Sequence, residues 1–250
     1  MAITAQDVKN LREMTGCGMM DCKKALAASE GDMDKAIEWL REKGLAASAK
    51  KAGRIAAEGM AYACVVDGIG VAVEVNAETD FVGKNEKFVD FVKGVANTVA
   101  KCNPADLDAL MECKYDGTDL TVLQQQQEMV LVIGENIKVR RFARFEGGFS
   151  VPYIHAGGKI GVLVNLEVTG GIDATEIGKD MAMQIAALNP RFWDKSQVTQ
   201  DVLDEEKKIM LAQMANDPKM ASKPDQVKEK IVLGKLNKFY SENCLLQQAF

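Results

Sequence analysis

The run Thr79-Asp80-Phe81-Val82 lies where one hydrophobic period gives way to another. Before it, Val71 to Val75 carries a valine at every second position, which is the period of a half-buried strand. From Phe81 onward, apolar residues recur at helical spacing. The run therefore predicts a strand-to-helix junction. Thr79 and Asp80 are predicted to turn side-chain oxygens onto the free N–H groups of the first helical turn.

The placement of Phe81 has two interpretations. Phe81, Phe88, Val92 and Val95 are spaced like one apolar face of an amphipathic helix, and this spacing alone favours a buried Phe81. Burial of a phenylalanine contributes about 1.5–3 kcal/mol. A first-turn residue, however, has no preceding helical turn beside it, which leaves room for the ring to point outward.

Composition indicates a folded chain with at least one good core. It has 250 residues, of which 47% are hydrophobic and 27% charged, and two or more modules are expected. No run approaches the ~18 consecutive apolar residues of a membrane span. The stretch from Met1 to Asn10 lacks the pattern of a secretory signal. We therefore expect a cytoplasmic protein without membrane contact.

The six cysteines do not form a metal motif. No C-x-x-C pair occurs, and His155 is the only histidine, so neither zinc nor any other cofactor is expected. Reduced thiols are predicted. A thiol–imidazole couple of His155 with one cysteine remains a minor alternative. The cysteines are Cys17, Cys22, Cys64, Cys102, Cys113 and Cys244.

Charge distribution bears on nucleic-acid binding. The net charge of −5 argues against a polyanion-binding chain as a whole. Between residues 41 and 54, five basic residues face only Glu42. This stretch is either a solvated linker or helix face, or a surface that faces RNA or the ribosome. The five are Arg41, Lys43, Lys50, Lys51 and Arg54.

Glycines divide the first 50 residues into three predicted helices. Thr4 can cap the first helix, which breaks at Gly16 and Gly18, and the second runs from Met19 to Ser29. The third has apolar residues at i, i+3, i+4 and i+7 and is predicted to stop at Gly44. Its apolar residues are Met33, Ala36, Ile37 and Leu40.

The remaining sequence predicts an α+β fold with antiparallel sheets. A hairpin turn at Asp67-Gly68-Ile69 joins two strand candidates, and Leu120 to Ile133 has helical character. Three more strand candidates follow. The five strand candidates are Met60–Val66, Gly70–Glu78, Lys138–Phe145, Phe149–His155 and Lys159–Val168.

Two charged helices are predicted near the C-terminal end, after a short helix from Asp180 to Leu188. They span Thr199 to Ala215 and Asp225 to Tyr240, and their sparse apolar positions indicate a narrow coiled-coil seam in a protruding helical hairpin. The seam residues are Leu203, Met210 and Met214 against Val232, Leu236 and Phe239. The predicted domains are 1–54, 55–140, 141–198 with 241–250, and the hairpin 199–240.

No catalytic constellation stands out. The chain lacks a G-x-x-x-x-G-K-[ST] phosphate loop, and Glu205-Glu206 fits a solvated helix face. The sequence therefore argues against a GTPase and against an enzyme.

Two motifs together resemble the hallmarks of the bacterial elongation factor Ts family, the nucleotide-exchange factors of the GTPase elongation factor Tu. They are Thr79-Asp80-Phe81-Val82 and the run from Met19 to Leu26. The resemblance implies that Phe81 stands out from the surface and is pressed into the partner near its Mg²⁺ and phosphate site, with Asp80 holding the approach. It also implies a ubiquitin-associated-like N-terminal bundle and two similar subdomains.

The resemblance assigns further contacts with the GTPase. Ile133 and Gly134 begin a run to Arg141 that is similar to a second family motif, and His155 lies in a segment that carries a partner-facing histidine. A hydrogen-bonded strand histidine is an equal alternative for His155. Met19 and Met20 are also assigned to the partner, although at least one of them is expected in the core.

The implied partner is elongation factor Tu, both GDP-bound and nucleotide-free, with no direct nucleic-acid binding. The resemblance also allows a complex of two copies of each protein. The family usually continues past a segment like Leu245 to Phe250, so a longer native chain is expected. The competing hypothesis is a ribosome- or RNA-binding module built from the N-terminal bundle and the basic stretch.

Overall fold

The computed structural model describes residues 3–15 and 17–250. Within those residues the chain forms ten α-helices and five strands. The helices are α1 Ala5–Thr15, α2 Met19–Ala28, α3 Met33–Lys51, α4 Glu86–Cys102, α5 Leu107–Glu112, α6 Val122–Ile133, α7 Thr175–Leu188, α8 Gln200–Asn216, α9 Pro218–Ala221 and α10 Asp225–Asn243. The strands are β1 Glu58–Val66, β2 Ile69–Ala77, β3 Lys138–Phe145, β4 Phe149–His155 and β5 Ile160–Leu166. The contacts divide the chain into one unit up to residue 182 and a second over 183–250.

Helices α1 to α3 pack into a small bundle in the first unit. Its buried centre includes Leu11, Leu26 and Leu40, and Leu131 of α6 packs against it. Thr4 caps α1 as predicted, because the Asp7 N–H donates to Thr4 Oγ1 at 3.2 Å. Of the two predicted helix breakers, Gly16 lies outside the described residues.

Helix α3 continues through Gly44, so the prediction that it stops there is wrong. Gly44 is buried, and a Cβ at this position would lie 3.3 Å from the carbonyl oxygen of Gln127 on α6. The glycine therefore permits close approach of two helices. Sequence alone cannot distinguish this use of glycine from a helix end.

The larger sheet has the order β1-β2-β3 and is antiparallel throughout. The predicted hairpin turn is present, but it consists of Asp67 and Gly68 alone, because Ile69 already pairs with Val66. The two turn residues have φ of 51° and 81°, as a type I′ hairpin requires. Helix α4 covers the sheet with buried side chains that include Phe88, Phe91 and Val92. The prediction of an α+β fold with antiparallel sheets is confirmed.

The smaller sheet pairs β4 with β5 and packs against β1. The Ala61 N–H donates to the carbonyl oxygen of Gly158 at 2.7 Å. A Cβ at Gly161 would approach Ala61 to 3.0 Å. Small residues thus allow the β4–β5 hairpin to lie close to the first sheet.

In the second unit, α8 and α10 pack through the predicted seam. Met210, Met214, Val232, Leu236 and Phe239 are buried there. The short helix α9 lies in the connection between α8 and α10, where Asp217 accepts a hydrogen bond from the Lys219 N–H. The packing of the helical pair is confirmed, whereas its coiled-coil character and protrusion remain predictions.

All six cysteines are free thiols in the structure. In the part of the chain that is described, no helix is both long and apolar enough to cross a bilayer. The same residues contain no group of three or more His, Cys, Asp or Glu side chains that could hold a metal ion.

Candidate partner-binding surface

The junction after β2 differs from the predicted helix start. Val82 to Lys84 form a single 3₁₀ turn, and α4 begins only at Glu86, where Asn85 Oδ1 accepts from the Lys87 N–H at 3.0 Å. No side chain caps the 3₁₀ turn, so the capping roles predicted for Thr79 and Asp80 are wrong. The physical reason at Thr79 is a competing partner, because its hydroxyl donates to Glu135.

Phe81 is 80% exposed, whereas the next residue, Val82, is only 6% exposed and belongs to the core. The inserted 3₁₀ turn takes Phe81 off the face of α4 that buries Phe88 and Val92. The interpretation from spacing alone, a buried Phe81, is therefore wrong. The exposure that the family resemblance implied is confirmed.

A groove lies beside the Phe81 ring. Its lining includes Phe81, Val82, Asn85, Val132 and Ile133. Ile133 is half-buried and ends α6, and the exposed Gly134 follows with a φ of 87°. The groove thus brings Phe81 and Val82 together with Ile133, and Val82 is the buried member of the three.

A set of hydrogen bonds joins the end of β2 to the segment before β3. One carboxylate oxygen of Glu135 accepts from the N–H groups of Glu78 and Thr79, each at 3.0 Å, and the other accepts from Thr79 Oγ1 at 2.7 Å. In return, Glu78 Oε1 accepts from the Asn136 N–H at 2.6 Å. We call Glu78, Thr79, Glu135 and Asn136 the brace.

Sequence reasoning missed the three brace residues other than Thr79. Glu135 and Asn136 lay inside the motif that begins at Ile133, but only Ile133 and Gly134 were assigned a role. The available signal was two adjacent polar residues between a helix end and a strand. Their partners, however, are 56 to 58 residues away in sequence.

Met19 and Met20 are 48% and 62% exposed, so the expectation that at least one of them lies in the core is wrong. They occupy the first turn of α2, whose buried residues are Cys22, Ala25 and Leu26. The exposed Met14 lines a second groove. Val132 lines both this groove and the groove beside Phe81.

His155 is exposed at the end of β4. Its Nδ1 lies 3.0 Å from the Tyr153 hydroxyl, and the two rings stack with centroids 6.0 Å apart. The alternative of a hydrogen-bonded strand histidine is therefore confirmed. A contact with a partner stays a prediction, and the exposed ring permits it.

Much of the basic stretch makes contacts within the chain. Arg41 Nε lies 3.2 Å from Glu128, and Lys43 Nζ lies 5.0 Å from the centroid of the Trp39 ring. Arg54 Nη1 lies 3.4 Å from Glu78, a residue of the brace. Three of the five basic side chains thus have partners in the fold, which favours the linker interpretation over an RNA-facing surface.

Comparisons with known proteins identify the family of this chain. The family model described as Elongation factor TS matches residues 78–250. Elongation factor Ts of Syntrophotalea carbinolica is 47% identical over 254 residues, which cover all of this chain and 82% of that protein. The protein of the same name from Clostridium perfringens strain SM101 is 50% identical over 254 residues, covering 99% of this chain and 82% of the relative. Elongation factor Ts of Magnetococcus marinus is 44% identical over 253 residues, with coverage of 100% and 82%. The chain therefore belongs to the elongation factor Ts family.

Proposed function

We propose that this chain is a guanine-nucleotide exchange factor that binds elongation factor Tu·GDP and promotes GDP release during translation elongation. Membership of the elongation factor Ts family supports the partner and the activity. The single observation that supports the mechanism is the ring of Phe81, which is 80% exposed in the junction between β2 and α4. We call Phe81 and its two neighbours, Asp80 and Val82, the tip of this junction. A cytoplasmic location follows from the same proposal.

Nucleotide exchange needs no catalytic group. A factor that binds the nucleotide-free GTPase more tightly than the nucleotide-bound form must weaken nucleotide binding by the same free energy, because the linkage is reciprocal. The ligand for this chain is therefore a protein surface. This agrees with a chain that is not an enzyme and needs no cofactor.

Phe81 is suited to act as a wedge beside the partner's Mg²⁺. Backbone N–H groups hold the phosphates of a bound nucleotide, and Mg²⁺ demands near-ideal octahedral geometry. A small displacement of these elements by a rigid aromatic ring would therefore cost much affinity for GDP. Asp80 is exposed next to Phe81 and supplies a carboxylate that holds its approach.

Other residues extend the proposed contact. Ile133 lines the groove beside Phe81, and Gly134 follows it in the chain. We propose that both contact the partner, and that Met19 and Met20 insert their flexible side chains into an apolar hollow of the partner. His155 is a further contact, and Val82 supports the tip from inside. The ubiquitin-associated-like character of the bundle, the domain boundaries given above and a complex of two copies of each protein belong to the same proposal.

Stopped-flow release of a fluorescent GDP from elongation factor Tu tests this function. We expect the wild-type chain to accelerate release and Phe81→Ala to lose most of the acceleration. The matched control is Ile172→Ala, which removes another large exposed apolar side chain and should leave the rate unchanged. No acceleration by the folded wild-type chain would reject the proposal.

The RNA-binding hypothesis makes a different prediction. If the basic stretch were an RNA-binding surface, affinity for RNA would fall steeply with salt, because bound counterions are released from phosphate. We expect only weak binding, because Arg41, Lys43 and Arg54 contact side chains of the chain itself. Tight, salt-sensitive binding that is lost on Lys50→Ala and Lys51→Ala would favour the alternative.

A further inference from the structure

We infer that Glu135 is a positioning residue for exchange, which acts by holding the backbone that presents Phe81 to the partner. This inference rests on the proposed function. Glu135 does not need to touch the partner in this account. Its carboxylate fixes Thr79, two residues before Phe81, and so restricts the directions in which the ring can point.

One carboxylate of Glu135 accepts several hydrogen bonds at once. Glu135 accepts two backbone N–H groups and one hydroxyl from the consecutive residues Glu78 and Thr79. Hydrogen bonds to an ionised acceptor are about twice as strong as neutral ones. The half-buried Glu135 side chain therefore fixes both residues in one conformation.

Reciprocal hydrogen bonds from the next residue, Asn136, hold the segment that carries Glu135 in place. The neighbouring Asn136 N–H donates to Glu78 at 2.6 Å, and the Asn136 side-chain amide donates to the carbonyl oxygen of Arg54 at 2.8 Å. Asn136 is only 7% exposed. The Arg54 guanidinium in turn lies 3.4 Å from Glu78. The segments that contain Arg54, Glu78 and Asn136 are distant in sequence, and these contacts join them close to the backbone that leads to Phe81.

The backbone on either side of Phe81, and not packing of its ring, holds this residue in place. Phe81 cannot be held by packing of its own ring, since the ring is mostly exposed, and the 3₁₀ turn that follows is three residues long. Buried Val82 fixes the chain after Phe81, and the brace fixes it before. An ordered tip has less conformational entropy to lose on binding, which favours affinity without any added contact.

A double-mutant cycle in the GDP-release assay tests this role. We expect Glu135→Ala to lower the acceleration about tenfold, because the segment before Phe81 loses the three hydrogen bonds that order it. In the Phe81→Ala background the same substitution should change the rate less than twofold, because a residue that acts through Phe81 has nothing left to position. A contact of Glu135 with the partner, or general destabilisation, would instead give losses that multiply.

Conservative and control variants sharpen the test. Glu135→Gln should keep at least about a third of the acceleration, because its carbonyl can accept the two N–H groups while its amide donates to the Thr79 hydroxyl. Thr79→Ser should keep more activity than Thr79→Val, which lacks the hydroxyl. The matched control is Glu74→Ala, which removes a carboxylate on β2 that is hydrogen-bonded to Arg141 on β3. It should leave the rate unchanged.

Amide hydrogen exchange on the isolated full chain gives an independent readout. In Glu135→Ala the amides of Glu78 and Thr79 should exchange at least about tenfold faster, while those of central β2 stay protected. Should Glu135→Ala fail to fold, Thr79→Val takes its place in both measurements. A loss of less than twofold in Glu135→Ala, multiplying losses in the cycle, or unchanged amide exchange would each overturn the inference. Wild-type acceleration that survives Phe81→Ala would overturn the proposed mechanism along with it.

Discussion

The Thr79 hydroxyl donates a 2.7 Å hydrogen bond to Glu135, a residue 56 positions further along the chain. This contact replaces the helix cap that the local sequence around Thr79 predicts. It joins the segment after β2 to the segment before β3, and Phe81 lies at the tip so formed. The aromatic residue is thus exposed at a 3₁₀ turn that follows this tertiary contact, and it does not lie on the helix face that its spacing predicts.

The two exposed methionines should matter for binding and hardly at all for stability. We expect Met20→Ala to change the free energy of unfolding by less than about 0.5 kcal/mol, as for most surface substitutions. It should nevertheless weaken binding to elongation factor Tu, measured by titration calorimetry. The reason is that Met20 is 62% exposed in the first turn of α2.

Leu26→Ala on the same helix is the matched contrast. Leu26 is completely buried, and loss of a buried leucine costs about 2–5 kcal/mol. Urea unfolding should show this cost clearly. If Met20→Ala were as destabilising as Leu26→Ala, the assignment of Met20 to a partner-binding surface would be wrong.

Two helix glycines should respond in opposite directions to alanine. A Cβ at Gly94 on α4 would overlap the hydroxyl of Tyr115, whose ring stacks on Phe91 at 5.8 Å. Gly94→Ala should therefore lower the free energy of unfolding by about 1–3 kcal/mol. Gly234 on α10 has open space around it, so Gly234→Ala should raise stability by up to about 1 kcal/mol through helix propensity.

Denaturant unfolding of Gly94→Ala and of Gly234→Ala measures the two changes in the free energy of unfolding. Each change is read from the unfolding transition that the substitution shifts. The Tyr115 hydroxyl also donates to the carbonyl oxygens of Asp90 and Phe91, so its ring is not free to move aside. A neutral effect of Gly94→Ala would contradict the packing described here.

Asp116 should make stability depend on acid pH. The hydrogen bond from Lys101 lowers the pKa of Asp116 below its ordinary value of 3.8, with a smaller effect from Asn97. A lowered folded-state pKa stabilises the fold above the unfolded value, and this contribution disappears as pH falls through the folded-state pKa. The wild-type chain should therefore be more stable than Asp116→Asn at pH 6 by at most about 1 kcal/mol, as for a solvent-screened pair.

The difference between wild type and Asp116→Asn should shrink as the pH falls below 3.8. Urea unfolding at pH 6 and at pH 2.5 measures it. Equal differences at both pH values would show that Asp116 does not act through its charge.

The cysteines should react as ordinary thiols. The thiolate is the reactive form, and burial raises the pKa of Cys17 and Cys64. Cys102 is exposed, so iodoacetamide should modify Cys102 first, and Cys22 and Cys244 only after unfolding. Peptide mapping by mass spectrometry follows each site. One cysteine that reacted far faster than free cysteine would revive the thiol-enzyme hypothesis.

Local pattern was sufficient for elements whose partners are close in sequence. The β1–β2 hairpin follows from alternating valines and from Asp67-Gly68, which supply the positive φ of its turn. The seam between α8 and α10 follows from apolar spacing, because a narrow stripe can face only one neighbouring helix.

Tertiary contacts decided the positions where sequence reasoning failed. Gly44 ends a helix in one context and permits close helix packing in another, and only the presence of α6 distinguishes the two. Thr79 could cap a helix or bond to Glu135, and the more distant partner prevailed. The brace could not be predicted, since hydrogen bonds between polar residues so far apart leave no periodic signal.

The most direct test of the central claim is to locate the Phe81 ring in the complex with elongation factor Tu. A photoreactive benzoylphenylalanine at position 81 should cross-link, in the nucleotide-free complex, to partner residues that line the Mg²⁺ and phosphate pocket. The same group at Phe145, a partly exposed residue at the end of β3, should not reach that pocket. Cross-links from position 81 that stay within its own chain, or reach only a partner surface remote from the nucleotide, would contradict the account.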